Sequence, residues 1–443
     1  MIKLKPLPEL SHHCPFDDAR LEVLHWYIPG MRNLAELQCP KCGREFYGDL
    51  LAGQALFTPM LLEKQTGNVH DPYNVKWFAD WLRNSYKNRS AAPLEFVTED
   101  FRPLQNPLLL NCLDSLYGHC LLKLLNAQYY LEKRPELDLV MLVPKCMRWM
   151  VPDGVAAIWT IDLPLSRGSE WNDFLAAEIS ARLKQFDKVW LSVAYSHPHP
   201  KDYDIERFTR VQPFPIDKWY ERLETPTVTF IWREDRLWDD ERNHGRLKQW
   251  VNKLKAQIGA RGLYLPRREQ TRRVVLLAAH LRKAFPKLNF AVVGLGKPGD
   301  MPDWIEDLRT TALDATEEKA WCNRYARSHI VIGIHGSNML LPSAHAGATV
   351  ELMPSKCWGN MIQDLLMSNL DCRATLFRYR IVPATTPVIE LAVMIHSLIK
   401  DLGAVDITMA PESVAHNDSN DVRLLEKRLQ YLSKTAPYND LPC

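Results

Sequence analysis

A chain of 443 residues, 46% of them apolar, 24% charged and 10% aromatic, is too long for one ordinary core and too apolar for a disordered chain. Two domains of roughly 200 residues are therefore expected. The 55 basic and 53 acidic residues leave a formal charge of +2, which lacks the positive excess of a protein that lives on phosphate backbones, so no nucleic-acid partner is expected.

The chain opens with Met1-Ile-Lys-Leu-Lys-Pro-Leu-Pro8, which has two prolines and no apolar stretch of signal-peptide length. Residues 1–105 read as an accessory module rich in turns and cysteine. Within it, Cys39-Pro-Lys-Cys42-Gly43 is a knuckle whose two thiolates can bind one face of a tetrahedral zinc. Cys14, with His12 or His13 beside it, can complete a structural site. Reduced thiols in a β-turn are the alternative, and the ten cysteines of a chain without an export signal suit a reducing, cytoplasmic setting. Asn74 to Asn88 brings Val75, Phe78, Trp81 and Leu82 to one helical face.

Residues 106–225 read as a first Rossmann-like lobe, on the acceptor side. A helix is expected over Leu108 to Leu131, a buried strand over Leu137 to Pro144, a helix over Ser169 to Phe186 and a strand over Lys188 to Ser196. Prolines between Arg210 and Pro226 mark the inter-domain boundary. Residues 226–400 read as a second Rossmann-like lobe, with strands at Thr227 to Trp232, Leu288 to Val293, His329 to Ile334 and Ala348 to Leu352. Helices are expected at Gly245 to Ala256, Gln270 to Ala284, Glu317 to Ala326 and Gly359 to Asn369. Residues 401–443 form a C-terminal tail or helix. Continuous apolar strands alternating with amphipathic helices mean parallel sheets covered on both faces. The longest apolar runs, Val274 to Leu281 and Pro387 to Ile399, are too short or too polar to cross a bilayer, so a soluble chain is expected.

Ligands of open parallel sheets bind beyond the carboxyl ends of strands, so the turns there carry the candidate chemistry. Arg233 and Arg236 follow a strand and offer guanidinium forks that match phosphate oxygens; a salt-bridged turn with Glu234 and Asp235 is the alternative. His335-Gly336-Ser337-Asn338 follows another strand, where Gly336 permits close approach and a helix start would attract an anion. Glu351, in a strand that stops at Pro354, can accept from ribose hydroxyls. A packed His335 and an ion-paired Glu351 are the bland alternatives. Asp314-Ala-Thr-Glu317 resembles a capping box. Gly294-Leu-Gly296-Lys297-Pro-Gly299 satisfies GxGxxG, but Pro298, Asp300 and Pro302 delay any helix, so it reads as a glycine loop with Lys297 a candidate phosphate contact. In the first lobe, His119 of Tyr117-Gly118-His119-Cys120 is a candidate general base, with Asp114 a second candidate.

The strand followed by His335-Gly-Ser-Asn338, then Gly347-Ala-Thr-Val-Glu351-Leu-Met-Pro354, resembles the "HGAGLTN … GA-x-V-x-E-x-x-P" signature of a glycosyltransferase family. That family includes the plant xylan xylosyl- and arabinosyltransferases and the EGF-domain O-GlcNAc transferase. Its "Y-x-H-W" helix start is matched by Tyr117 to Cys120, with Cys120 in place of tryptophan, and its strand followed by arginines is matched by Arg233 and Arg236. The likeness runs from about Leu108 to Lys400 in three short motifs, at superfamily level. Asn338 stands three positions before the family's asparagine, and Ser337 replaces its alanine. The resemblance implies a GT-B α/β fold, two Rossmann-like lobes with a nucleotide-sugar in the cleft, held mainly by the C-terminal lobe. It implies metal-independent, inverting transfer of a hexose or pentose to a glycan or small-molecule acceptor, with no cofactor needed for catalysis. A catalytically inactive binding or scaffold protein of the same fold, or a dinucleotide-dependent oxidoreductase using Gly294 to Gly299, are the competing functions.

Overall fold

The computed structural model describes residues 2–5, 12–238, 264–367 and 372–408. The helix expected over 245–256 and the tail beyond 408 lie outside them. The chain divides into two compact units, Met1–Thr209 and Arg210–Cys443.

The first unit opens with strand β1 (Ile2–Lys5) and continues into an antiparallel meander of β2 (Glu22–Tyr27), β3 (Leu34–Gln38), β4 (Glu45–Asp49), β5 (Leu61–Glu63) and β6 (Val69–His70). The expected helix follows as Lys76–Lys87, burying Phe78 and Leu82, with Val75 and Trp81 packed against the same cluster. The main sheet then adds β7 (Phe96–Asp100), β8 (Pro107–Asn111), β9 (Asp138–Pro144), β10 (Ala157–Ile161) and β11 (Val189–Ser192), in the order β1-β11-β8-β9-β10-β7. All neighbours are parallel except β7, which runs antiparallel to β10. Two strands from the first 105 residues thus belong to the lobe's sheet. Leu37 and Phe46 of the meander also share one apolar cluster with Val140 and Trp159. A boundary at residue 105 does not separate two cores.

The single helix expected over Leu108 to Leu131 is instead a strand, β8, followed by helices Tyr117–Leu125 and Ala127–Lys133. A continuous run such as Leu108-Leu-Leu110 fits a fully buried central strand as well as a helix, and periodicity cannot choose between them. Asn126 fixes the junction of the two helices. Its Nδ2 donates to Leu122 O, Lys123 O and Tyr195 O at 3.1, 3.0 and 2.9 Å, and its Oδ1 accepts from Tyr195 N at 3.1 Å.

The second unit holds β12 (Thr227–Trp232), β13 (Asn289–Leu295), β14 (Glu306–Thr310), β15 (Ile330–Ile334), β16 (Ala348–Met353) and β17 (Tyr379–Pro383). All pairs are parallel, in the order β14-β13-β12-β15-β16-β17. Counted from β12, this is the 3-2-1-4-5-6 order of the doubly wound dinucleotide-binding fold. Helices Tyr264–Ala284, Ala315–Tyr325 and Val388–Thr408 occur where the sequence is amphipathic or apolar. Asp314 caps the second of these, its Oδ1 accepting from Thr316 N and Glu317 N at 2.8 and 2.9 Å.

The helix expected over Gly359 to Asn369 does not form among the described residues. A 3-10 turn, Ser355–Asn360, leads into turns and irregular chain. Ser343 takes the backbone groups that a helix would use: its Oγ donates to Asp364 O at 3.0 Å and accepts from Leu366 N at 3.2 Å. No helix among the described residues is long and apolar enough to cross a membrane.

The boundary segment packs into the second unit through Phe214 and Trp219. The Trp219 indole is 1% exposed and donates to Ile399 O at 3.0 Å, and a Cβ on Gly347 would stand 2.6 Å from its ring. Trp219→Ala is expected to cost about 3–5 kcal/mol in equilibrium urea denaturation. A loss below about 1 kcal/mol would contradict a core role for this segment.

Candidate functional site

The topological switch of the second unit lies between β12 and β15, where the sheet order reverses. The turns after these two strands carry Arg233 to Arg236 and His335 to Asn338, so the fold brings two of the sequence candidates together. Both arginines converge on one atom, the carbonyl oxygen of His335. Arg233 Nη1 donates to it at 3.0 Å and to Asn338 Oδ1 at 2.7 Å, and Arg236 Nη1 donates to the same carbonyl. Gly336 makes this approach sterically permissible. Its φ is +144°, and a Cβ there would collide with Arg233 Nη1.

The two arginines are not equivalent. Arg233 is also gripped by Asp235, with Nε to Oδ1 at 2.8 Å and Nη2 on Oδ2, and Glu234 pairs with Arg267. The salt-bridged turn is therefore real for Arg233, which positions its neighbours. Arg236 has no such carboxylate in its fork among the described contacts and is the better ligand for an anion.

Asn338 supplies an independent signal. An arginine can only donate, so the amide oxygen must face Arg233, which leaves Nδ2 as a buried donor without a partner among the described residues. A buried donor left unpaired costs about 1–3 kcal/mol. This donor still lacks an acceptor. The helix after it, Leu340–His345, has only six residues and follows a 3-10 turn, Ser337–Met339, so the anion-attracting helix start expected there is a weak one. Ser337 stands half-buried in that turn.

Beneath the carbonyl, the His335 imidazole is 2% exposed. Its Nδ1 donates to Glu351 Oε1 at 2.7 Å and lies 3.1 Å from Asp364 Oδ2. The other oxygen of Glu351 accepts from Tyr379 Oη at 2.7 Å. With both oxygens engaged and the residue fully buried, Glu351 orients the imidazole and has no free oxygen for a ribose, which corrects the sequence expectation. Burial opposes charge on His335, but the Glu351 hydrogen bond and the two carboxylates outweigh it and hold its pKa above 6.5. Burial, then the charge of Glu351, push Asp364 up to about 6. His335, Glu351 and Asp364 have the spacing of a metal group, but Arg233 and Arg236 beside them disfavour a further cation. Asp364 falls in the stretch whose pattern predicts a helix and Tyr379 opens β17, which the pattern does not predict, so neither stands out in the sequence as a site residue.

The Gly294 to Gly299 loop follows β13, one strand away from the switch. No helix opens directly after it; the next element is β14. Its first two glycines make room for Trp232: a Cβ on Gly294 would collide with Trp232 O, and one on Gly296 would lie 2.6 Å from the indole nitrogen. The packing of Trp232 accounts for these two glycines. Lys297 is exposed on that loop.

In the first unit, β8 and β11 flank the corresponding reversal. After β8, Asp114 is buried and accepts from Lys123 Nζ at 2.8 Å, from Ser115 N at 2.8 Å and from Leu116 N at 3.3 Å, with His119 Nδ1 at 3.2 Å. Burial opposes its charge, but Lys123 and His119 outweigh that and hold it well below the usual carboxylate range. A carboxylate so held is a poor base. It can only accept, so His119 Nδ1 carries the hydrogen and Nε2 is the basic nitrogen. The His119 side chain is 23% exposed, and Gln54 Nε2 lies 3.3 Å from its Nδ1. Asp114 thus positions His119 and does not replace it.

The knuckle cysteines meet Cys14 as expected, but His12 is elsewhere. His12 Nε2 pairs with Asp49 O at 3.0 Å, and the residue that joins Cys14, Cys39 and Cys42 is Asp17.

No protein-family model and no curated protein matches the chain. Among solved structures it is similar to the ADP-heptose lipopolysaccharide heptosyltransferase II of E. coli, with 9% identity and a TM-score of 0.34 over 67% of this chain and 98% of that one. It is also similar to the E. coli heptosyltransferase WaaC with ADP, with 12% identity and a TM-score of 0.34 over 68% and 100%. Scores this low leave the class of the fold to the chain's own topology: two α/β units built on parallel sheets, the second with 3-2-1-4-5-6 order.

The buried charges make stability depend on pH with a definite sign. Asp364 is raised from 3.8 to about 6, so its contribution is fullest below 3.8 and is lost as pH rises through about 6. His335, raised above 6.5, likewise stabilises at lower pH and loses its contribution as pH rises through its folded value. Asp364→Asn is therefore expected to gain on the order of 1–3 kcal/mol over wild type between pH 4 and pH 7, read from paired thermal unfolding curves. A difference that does not change with pH would contradict this.

Proposed function

We propose that the chain is a glycosyltransferase of GT-B type that moves a sugar from a nucleotide-sugar donor to a glycan or small-molecule acceptor. Transfer is a single displacement with inversion, without a catalytic metal. The observation that carries this reading is the switch between β12 and β15, where Arg236 and the unpaired Nδ2 of Asn338 are held by a common scaffold. The resemblance of Tyr117 to Cys120, Arg233 and Arg236, and His335 to Pro354 to the glycosyltransferase signature supports the same reading.

As the bond from the anomeric carbon to the diphosphate oxygen breaks, negative charge collects on the leaving group. Arg236, and the Asn338 amide that Arg233 orients, neutralise it with donors that need no reorganisation. The acceptor oxygen forms the new bond to the same carbon. His119 Nε2 takes its proton, and the Asp114 carboxylate stabilises the resulting imidazolium.

Arg236→Ala is expected to lower kcat/KM with the cognate donor at least about 100-fold. His119→Ala is expected to lower kcat while nucleoside-diphosphate binding persists. Wild-type turnover should be equal with and without added Mg2+ or Mn2+, tested over UDP-, GDP-, CMP- and dTDP-sugars. Full activity of Arg236→Ala would overturn the reading. Donor binding without turnover by the wild type would leave an inactive binding protein of the same fold.

A further inference from the structure

The small meander of the first unit carries one turn twice. Cys14-Pro-Phe-Asp17-Asp18 and Cys39-Pro-Lys-Cys42-Gly43 stand 25 positions apart and share the pattern cysteine, proline, any residue, ligand. Their backbones match bond for bond. Asp18 N donates to Cys14 O and Gly43 N to Cys39 O, both at 2.9 Å. Cys14 N donates to Ala19 O at 2.8 Å and Cys39 N to Arg44 O at 2.9 Å. The fifth residue is left-handed in each turn, φ +61° at Asp18 and +70° at Gly43. Aspartate is among the few side chains that tolerate this conformation.

The two turns face each other. Cys14 Sγ lies 3.7 Å from Cys42 Sγ, and Cys39 Sγ lies 3.4 and 3.3 Å from the Asp17 oxygens. One ligand atom from each of the four residues falls within 4.8 Å of all the others. Zinc–thiolate bonds of ~2.3 Å and zinc–carboxylate bonds of ~2.0 Å at the tetrahedral angle would set S···S pairs ~3.8 Å and S···O pairs ~3.5 Å apart. The Cys14–Cys42 and Cys39–Asp17 spacings agree. A disulfide would need its sulfurs about 2.05 Å apart, and these cysteines are free. Cys42 N points at Cys39 Sγ at 3.4 Å, a donor that favours a thiolate. Both neighbouring histidines are occupied elsewhere, His12 on Asp49 O and His13 on Asp18 O.

We infer that Cys14, Asp17, Cys39 and Cys42 form a closed tetrahedral zinc site that clasps the 14–19 turn to the hairpin between β3 and β4. Four protein ligands leave no position for water or substrate, so the ion is structural. Cys14 and Cys39 also belong to the apolar cluster shared with the main sheet, so the clasp sits on the core that joins the meander to the lobe. This inference is independent of the sugar-transfer reading.

The test is metal analysis of the full-length protein purified without added metal. The wild type should carry one zinc per chain, and its cobalt-substituted form should show tetrahedral d–d bands with thiolate-to-cobalt charge transfer. Asp17→Ala and Cys39→Ser should lose most of the zinc, whereas Asp17→Cys and His12→Ala should keep it. Absence of both zinc and the cobalt–thiolate spectrum in the wild type would overturn the assignment, whether or not the variants fold. So would a Cys14–Cys42 disulfide in the intact mass, or zinc lost from His12→Ala and kept in Asp17→Ala.

Discussion

The carbonyl oxygen of His335 is the point on which the second unit's site is built. It directly follows β15, it accepts from both Arg233 and Arg236, and the side chain of the same residue is fixed below by Glu351. Two guanidinium groups can share one carbonyl only if nearby negative charge offsets their repulsion. Asp235 supplies some of it directly, and the buried pair of Glu351 and Asp364 supplies more around the imidazole. Gly336 then lets Arg233 lie flat against the chain, which turns the Asn338 oxygen inward and leaves its nitrogen unpaired. Arg233, Asp235, His335 and Glu351 are thus all engaged with one another or with the chain, so most of the charged side chains here position rather than bind.

The first unit uses the same logic with a different outcome. Lys123 and two backbone N–H groups hold Asp114 ionised, and an ionised Asp114 fixes the tautomer of His119. Burial and, second, the charge of His119 lower the pKa of His197, on the chain after β11. His119 opens the helix after β8 and His197 lies on the chain after β11, the two strands that flank this unit's reversal. In both units the residues with candidate chemistry follow strand ends, as the fold class requires.

The sequence made the central strands legible because burial on both faces demands unbroken apolar runs. Thr227 to Trp232 matches β12 from end to end. Edge strands were harder: β14 reads Glu-Asp-Leu-Arg-Thr, with too much charge to announce a strand, and β7 is mostly exposed or half-buried. The apolar Leu108 to Leu110 predicts a helix where a strand forms, because a buried strand and a buried helix look alike over so few residues. In the site, Arg233, Arg236, His335 and Asn338 were legible as turn residues after strands. Their unequal roles were not, because pairing with Asp235 and the orientation of an amide are set by tertiary approach. Asp17 was within reach, since Cys-Pro-x-ligand occurs twice at a fixed offset. Cysteine and histidine spacing alone does not reveal a carboxylate ligand.

The central claim is that the switch between β12 and β15 holds the diphosphate of a nucleotide. Hydrogen–deuterium exchange of the full chain with and without a nucleoside diphosphate tests it most directly. Protection concentrated in the peptides spanning Trp232 to Trp238 and Ile334 to Leu340 is the expected result. Protection confined to the Gly294 to Gly299 loop, or none in either strand-end turn at saturating ligand, would contradict it.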